Sequence, residues 1–221
     1  LIDIKPLIQK EYGLDEAPMD RVKSLESAKL KSAIWYAGLL NTVFRQHVKI
    51  LNQFPFNGRQ WGFNLVREDG GVSPIYDVMK MYSMHVNNEL LDITIDSPKF
   101  DSPHLKSEPL AQGMQNVNYL DAVATLNKSE NVIILTLLNR NSSKTISVTV
   151  DGGKVSRSMR LIEHTLLTGG NVKGLESSRI DDENDIVQRP LINPLGENVD
   201  IPPYSVLNLK YRVDGKAVIM H

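Results

Sequence analysis

The side chains in this chain best suited to chemistry on a hydroxyl-rich molecule are Glu11 with Tyr12, the amides Asn52 and Gln53, and the indole of Trp61. A carboxylate can attack, donate or accept a proton; amides offer both donors and acceptors to hydroxyls; an indole presents a flat apolar face to a sugar ring. Bland alternatives stand beside each. A glutamate just after a strand is more often a solvated or salt-bridged surface residue, and Trp61 can equally anchor a loop. What would lift these residues above that background is an architecture that brings them to one mouth.

The elements that would position them run strand, helix, strand, helix. Ile4, Leu7 and Ile8 cluster before the polar Gln9-Lys10-Glu11, so Ile4 to Tyr12 reads as a short buried strand with a polar C-terminal end. Ser24 can cap a long helix on which Leu30, Ala33, Ile34, Ala37, Leu40 and Phe44 recur at helical spacing. Val48 to Phe54 reads as a second short buried strand. Ser73-Pro74 then supplies a cap with proline at the first helical position, and Ile75, Val78, Met79 and Tyr82 form one apolar stripe. Two successive strand-helix units imply parallel strands, which would leave unpaired edges and uncovered faces on their own. The expected fold class is therefore α/β plus all-β. Residues 1–85 would form the last two βα units, the C-terminal quarter, of a (β/α)8 TIM barrel. Chemistry in such a barrel sits where strands end, the zone assigned to Glu11, Tyr12, Gln53 and Trp61.

Beyond residue 86 the period changes to two. Ile146, Val148 and Val150 alternate with Thr145, Ser147 and Thr149, while Val132 to Leu138 is a continuous apolar run suited to a strand buried on both faces. Further strands are expected over Leu90 to Ile95, Tyr119 to Leu126, Met159 to Thr165 and Ser205 to Val213, with turns at Asn139-Arg140-Asn141, Asp151-Gly152-Gly153, Gly169-Gly170 and Pro202-Pro203. Residues 86–221 are expected to form an antiparallel β-sandwich, jelly-roll-like.

Trp61-Gly62-Phe63 and the run from Ser73 to His85 (SPIYDVMKMYSMH) resemble the closing βα unit of the α-L-arabinofuranosidases of glycoside hydrolase family 51. Glu89 to Ile93 is similar to that family's first strand after the helix, Tyr119 to Ala124 to its next core strand, and Val132 to Arg140 to its strand ending in Val-Asn-Arg. Pro202 to Leu207 is similar to its proline-rich entry to the last strand. The resemblance implies a retaining glycosidase acting on arabinose-containing plant polysaccharides or oligosaccharides, with Glu11 as nucleophile. Tyr12 and Gln53 would orient it or bind sugar hydroxyls and Trp61 would line the pocket; these three follow from position, not from a motif. In the family the acid/base glutamate lies on the fourth barrel strand, upstream of residue 1. The chain is then expected to be inactive until the N-terminal barrel portion, on another chain or fragment, completes the site.

Composition narrows the field from the other side. Among 221 residues 41% are hydrophobic and 23% charged, with a net charge of −1, so neither a nucleic-acid nor a membrane-surface partner is expected. No apolar run is long enough to span a bilayer, and Leu1 to Lys5 lacks a signal-peptide layout. A soluble chain is expected, cytoplasmic or secreted, with a homo-oligomer left open. Cysteine is absent, which excludes disulfides and thiolate chemistry. The histidines, His47, His85, His104, His164 and His221, have no metal-ligand spacing, and His85 reads as a helix-end cap. Asp181 to Asp185 reads as a solvated acidic loop. Neither a metal nor a cofactor is expected. Asn127-Lys128-Ser129 and Asn141-Ser142-Ser143 fit the glycosylation acceptor pattern.

Two competing readings follow. One is another retaining barrel glycosidase, of xylosidase or agarase type. The other is a carbohydrate-binding or structural β-sandwich module. Against binding, only Phe100, Tyr119, Tyr204 and Tyr211 are aromatic after residue 86, and sugar-binding faces usually need stacked rings.

Overall fold

The helical spacing around Leu30 to Phe44 is realised as helix α1, Leu30–Arg45, in the computed structural model, which describes residues 30–53, 65–66, 72–102, 113–153, 159–168 and 199–214. Leu30, Ala33, Ile34, Ala37 and Leu40 are buried along one face, whereas Trp35 on the other side is 62% exposed. The helix ends in a Schellman motif. The Val48 amide donates to the Val43 carbonyl at 3.1 Å and the His47 amide to Phe44 at 3.0 Å, with His47 in the left-handed region at φ 52°.

Helix α2, Pro74–Ser83, starts as expected, with Ser73 as N-cap accepting the Tyr76 amide through Oγ at 3.4 Å and Pro74 in the first turn. Its buried stripe is Ile75, Val78, Met81 and Tyr82. Met79, expected in the stripe, is only half-buried against the same cluster. Burial on two sides, by α1 and by the sheet, is what widens the stripe.

Between the helices the expectation of a buried strand over Val48 to Phe54 fails for residues 48–53, which are irregular. Val48, Ile50 and Leu51 are 49%, 76% and 43% exposed. A buried parallel strand needs neighbours on both edges and covers on both faces, and among the described residues no strand pairs with this segment. Phe54 and the expected strand Ile4 to Tyr12 lie outside the described residues.

The rest is mostly antiparallel sheet. The strands are β1 Glu89–Leu91, β2 Lys99–Phe100, β3 Val117–Asn118, β4 Leu120–Asn127, β5 Val132–Asn139, β6 Ile146–Val148, β7 Met159–Leu167, β8 Val199–Ile201 and β9 Ser205–Val213. Five of them form one sheet in the order β1-β4-β5-β9-β7, while β2 with β3 and β6 with β8 form two-stranded ribbons. The strand expected over Leu90 to Ile95 is shorter, ending at Leu91. Short β2, β3 and β8 carry too few residues for a period-two pattern to reveal them.

The five-stranded sheet is covered on both faces, which accounts for the unbroken apolar run of β5. On one face Val123, Leu138, Leu167 and Val206 join the buried faces of α1 and α2 in one apolar cluster. On the other, Leu135, Leu137, Leu207, Leu209 and Tyr211 pack with Val199 and Ile201 of β8, and Ile146, Val148 and Val150 close that side. In β7 a bulge between Leu161 and Glu163 shifts the pairing with β9 by one residue. Met159 and Leu161 before the bulge, and Leu166 after it, therefore reach the same cluster, while Leu167 reaches the helices.

Candidate functional site

Of the four residues expected to do chemistry, Glu11, Tyr12 and Trp61 lie outside the described residues. Gln53 is half-buried in the irregular segment after α1, and Asn52 beside it is exposed. Of the four, Gln53 alone falls among the described residues.

What the described residues do assemble is a polar seam between the helix layer and the five-stranded sheet. At one end Asp121, the second residue of β4, is 4% exposed and held by two arginines. Arg45, the last residue of α1, donates through Nη1 to Oδ1 at 2.6 Å and also to the Ala122 carbonyl at 3.0 Å. Arg140, just after β5, donates through Nη2 to Oδ2 at 2.5 Å and through Nη1 to the Asn118 carbonyl at 3.3 Å. Burial pushes the Asp121 carboxyl up, but the Arg45 hydrogen bond and the charges of Arg140 and Arg45 outweigh it and hold the group below the usual carboxylate range. Asp121 is thus an ionised anchor. Its oxygens are spent on guanidinium groups and the Ala122 amide, at 2.9 Å, so it has no lone pair aimed at a substrate.

At the other end is His85, which corrects the expectation of a helix-end cap: the C-cap of α2 is Met84, and His85 is 1% exposed against the sheet. Its Nδ1 lies 2.8 Å from Thr125 Oγ1 on β4 and its Nε2 lies 2.7 Å from Thr136 Oγ1 on β5. Asn208 of β9 donates to Thr136 Oγ1 at 2.9 Å and to the Met81 carbonyl at 3.3 Å. A consistent assignment has Thr136 accept from Asn208 and donate to Nε2, leaving Nδ1–H to donate to Thr125. Phe44 and Tyr82 flank the ring, with centroids at 5.5 Å and 5.7 Å. Burial lowers the His85 pKa to about 4, so the imidazole is neutral at neutral pH. With both nitrogens committed to buried hydroxyls, it fastens helix to sheet and activates nothing. Tyr82 completes the seam, its hydroxyl 2.7 Å from Asn41 Oδ1 and 3.2 Å from the Ala37 carbonyl.

Sequence reasoning passed over this seam. Its signal was a polar residue inside an otherwise apolar strand: Thr125 in β4, Thr136 in β5 and Asn208 in β9, with Thr136 and Asn208 direct cross-strand partners.

The aromatic residues of the sheet region are used in packing. Tyr211 is fully buried and Tyr204 packs against the helix-side cluster. Phe100 and Tyr119 lie against each other, with centroids 4.6 Å apart. Of the two glycosylation-pattern asparagines, Asn141 is buried, and both use their side-chain oxygen to cap the turn that follows, Asn127 for the Ser129 and Glu130 amides and Asn141 for those of Ser143 and Lys144. Among the described residues no group of three or more His, Asp or Glu is placed to hold a metal, and no helix is long and apolar enough to cross a membrane. Asp181 to Asp185 lies outside the described residues.

The chain shares its fold with the α-L-arabinofuranosidase of Thermotoga maritima, solved as an arabinose complex, at TM-score 0.67 and 18% identity over 85% of this chain and 39% of that one. The family 51 enzyme of Thermotoga petrophila RKU-1 gives TM-score 0.66 and 17% identity over 85% and 39%. That of Bifidobacterium longum gives 0.64 and 15% over 85% and 35%. The chain thus spans roughly two fifths or less of the length of these relatives. Among curated proteins none matches. The sequence model of the α-L-arabinofuranosidase C-terminal domain matches residues 11–205, nearly the whole chain, and the chain belongs to that family.

Proposed function

We propose that this chain is the C-terminal part of a retaining α-L-arabinofuranosidase of glycoside hydrolase family 51, with residues 1–85 closing a TIM barrel and residues 86–221 forming the β-sandwich that braces it. The observation that supports this reading is that one family model matches residues 11–205, a range that includes both helices and the sheet with which they share an apolar cluster. Exposure of Val48, Ile50 and Leu51 after α1 supports it further, because these side chains would be covered by the neighbouring strands of a completed barrel.

In this reading Glu11 attacks the anomeric carbon of an arabinofuranoside while a second carboxyl, on the missing barrel portion and ~5 Å away, protonates the leaving oxygen; water then releases the sugar with retained configuration. Tyr12 and Gln53 bind sugar hydroxyls or orient Glu11, and Trp61 lines the pocket. The sandwich is structural, since its rings are engaged in packing. The test is to combine the chain with the N-terminal barrel portion of a family 51 enzyme and assay aryl α-L-arabinofuranoside. Activity is expected from the assembly and not from the chain alone, and Glu11→Gln should reduce it at least 10²-fold. A correctly folded assembly that hydrolyses xylosides but not arabinofuranosides would instead favour a xylosidase.

A further inference from the structure

Two apolar clusters lie on opposite faces of the five-stranded sheet, one shared with α1 and α2 and one shared with the β6–β8 ribbon. Removing the helix layer would strip the first face and leave the second packed. The helix layer is tied to its face by apolar contact and by the polar seam, and at one end of the seam is a titratable ring. We propose that His85 is an acid-operated latch: protonation of its imidazole releases α1 and α2 from the five-stranded sheet, while the sheet and the β6–β8 ribbon stay folded. This inference stands on the geometry of the seam and is independent of the reading of Glu11.

Neutral imidazole is one donor and one acceptor, and its site is built for that form. Thr136 Oγ1 already accepts the Asn208 amide at 2.9 Å and turns its own hydrogen toward Nε2. A second ring proton would confront that hydroxyl with a donor and strand its hydrogen in the interior. Among the described residues the ring has no anionic partner to compensate. The cations of the seam are Arg45 at the end of α1 and Arg140 just after β5. Asp121 on β4 is held by both of them. Lys210 on β9 pairs with Glu163 of β7 at 3.5 Å. On α2 the Tyr82 phenol faces the ring, whereas Lys80 is exposed and Asp77 is half-buried on the outer side. The local sum of the seam is cationic, so an added proton gains nothing by moving toward it.

Hydrogen exchange of the 221-residue chain, corrected for the intrinsic pH effect, separates release of a layer from unfolding of the whole. Protection of residues 74–85 and 30–45 should fall by about tenfold for each pH unit below about 6.5, the signature of one proton taken up on opening. Protection of β5 and β9, which open only with the whole chain, should follow the same slope but stay above that of the helices by a margin that does not change with pH, because release and unfolding take up the same proton. In His85→Gln the slope should vanish, whatever the protection at pH 7. In Asp121→Asn protection should drop at all pH values with the slope between pH 6.5 and 5 retained. The native chain supplies a check that needs no variant, namely the His85 ring resonances. Titration near 6.5 with the helices still protected overturns the proposal, as does protection of β5 and β9 no greater than that of the helices, or persistence of the slope in His85→Gln.

Discussion

Gly38 of α1 and Arg140 at the end of β5 meet so closely that a methyl group built on the glycine would stand 2.9 Å from Arg140 Nη2. A glycine inside a helix costs about 1 kcal/mol relative to alanine, and here the missing side chain leaves room for the guanidinium on its way to Asp121. Gly38→Ala should therefore destabilise the native chain by about 1–2 kcal/mol, since Arg140 must leave Asp121 or α1 must shift. In an Arg140→Ala background the same change should reverse sign and stabilise by up to about 1 kcal/mol. Urea midpoints of the four proteins in this cycle measure it, and a destabilising effect of equal size in both backgrounds would refute the steric account.

Thr136 is the node of the His85 cluster, touched by both the ring and Asn208. Thr136→Val keeps the shape and removes the hydroxyl, leaving a ring nitrogen and an amide hydrogen unpaired in the interior. A loss of about 2–3 kcal/mol is expected by chemical denaturation, against under about 1 kcal/mol for Thr136→Ser, which keeps the hydroxyl.

Acid should weaken the fold in two steps of known sign. The His85 pKa is lowered to about 4 in the folded chain, against about 6.5 unfolded. Between those values the unfolded chain binds more protons, so stability rises with pH across this window and falls by up to about 3 kcal/mol from pH 7 to pH 4. The Asp121 carboxyl is also lowered. Its contribution is complete above the ordinary carboxylate value and is lost only as pH drops through the lower folded value. Unfolding free energies measured from pH 7.5 downward should show the first step in Asp121→Asn and lack it in His85→Gln. An identical profile in the two variants would contradict the assignment.

Much of the sheet was legible in the sequence because burial on two faces leaves an unmistakable trace. Val132 to Leu138 reads as a strand covered on both sides, and β9 spans Ser205–Val213, the bounds expected for it. Legibility fails where a single residue resets the pattern: Ile162, at the β7 bulge, moves Leu166 and Leu167 out of phase with Met159 and Leu161, so the expected strand stopped at Thr165 while the real one continues to Leu167. It fails again at Val48 to Leu51, whose apolar character says they should be covered but not by what. The seam was hidden for another reason. His85, Thr125, Thr136 and Asn208 are far apart in sequence, and only the stacking of a helix end over three paired strands brings them together. The candidate residues Glu11, Tyr12, Gln53 and Trp61 came from position along expected strands and from family resemblance, because a carboxylate at a strand end carries no local signature of its role.

Since successive side chains of a strand point to opposite sides, Leu137 and Leu138 report on different interiors: the first is packed beneath the β6–β8 ribbon, the second beneath the helices. Labels placed one residue apart in β5, fluorine on either leucine for instance, would watch two chambers of the molecule separately. A disturbance that enters from one side could be timed against its arrival at the other.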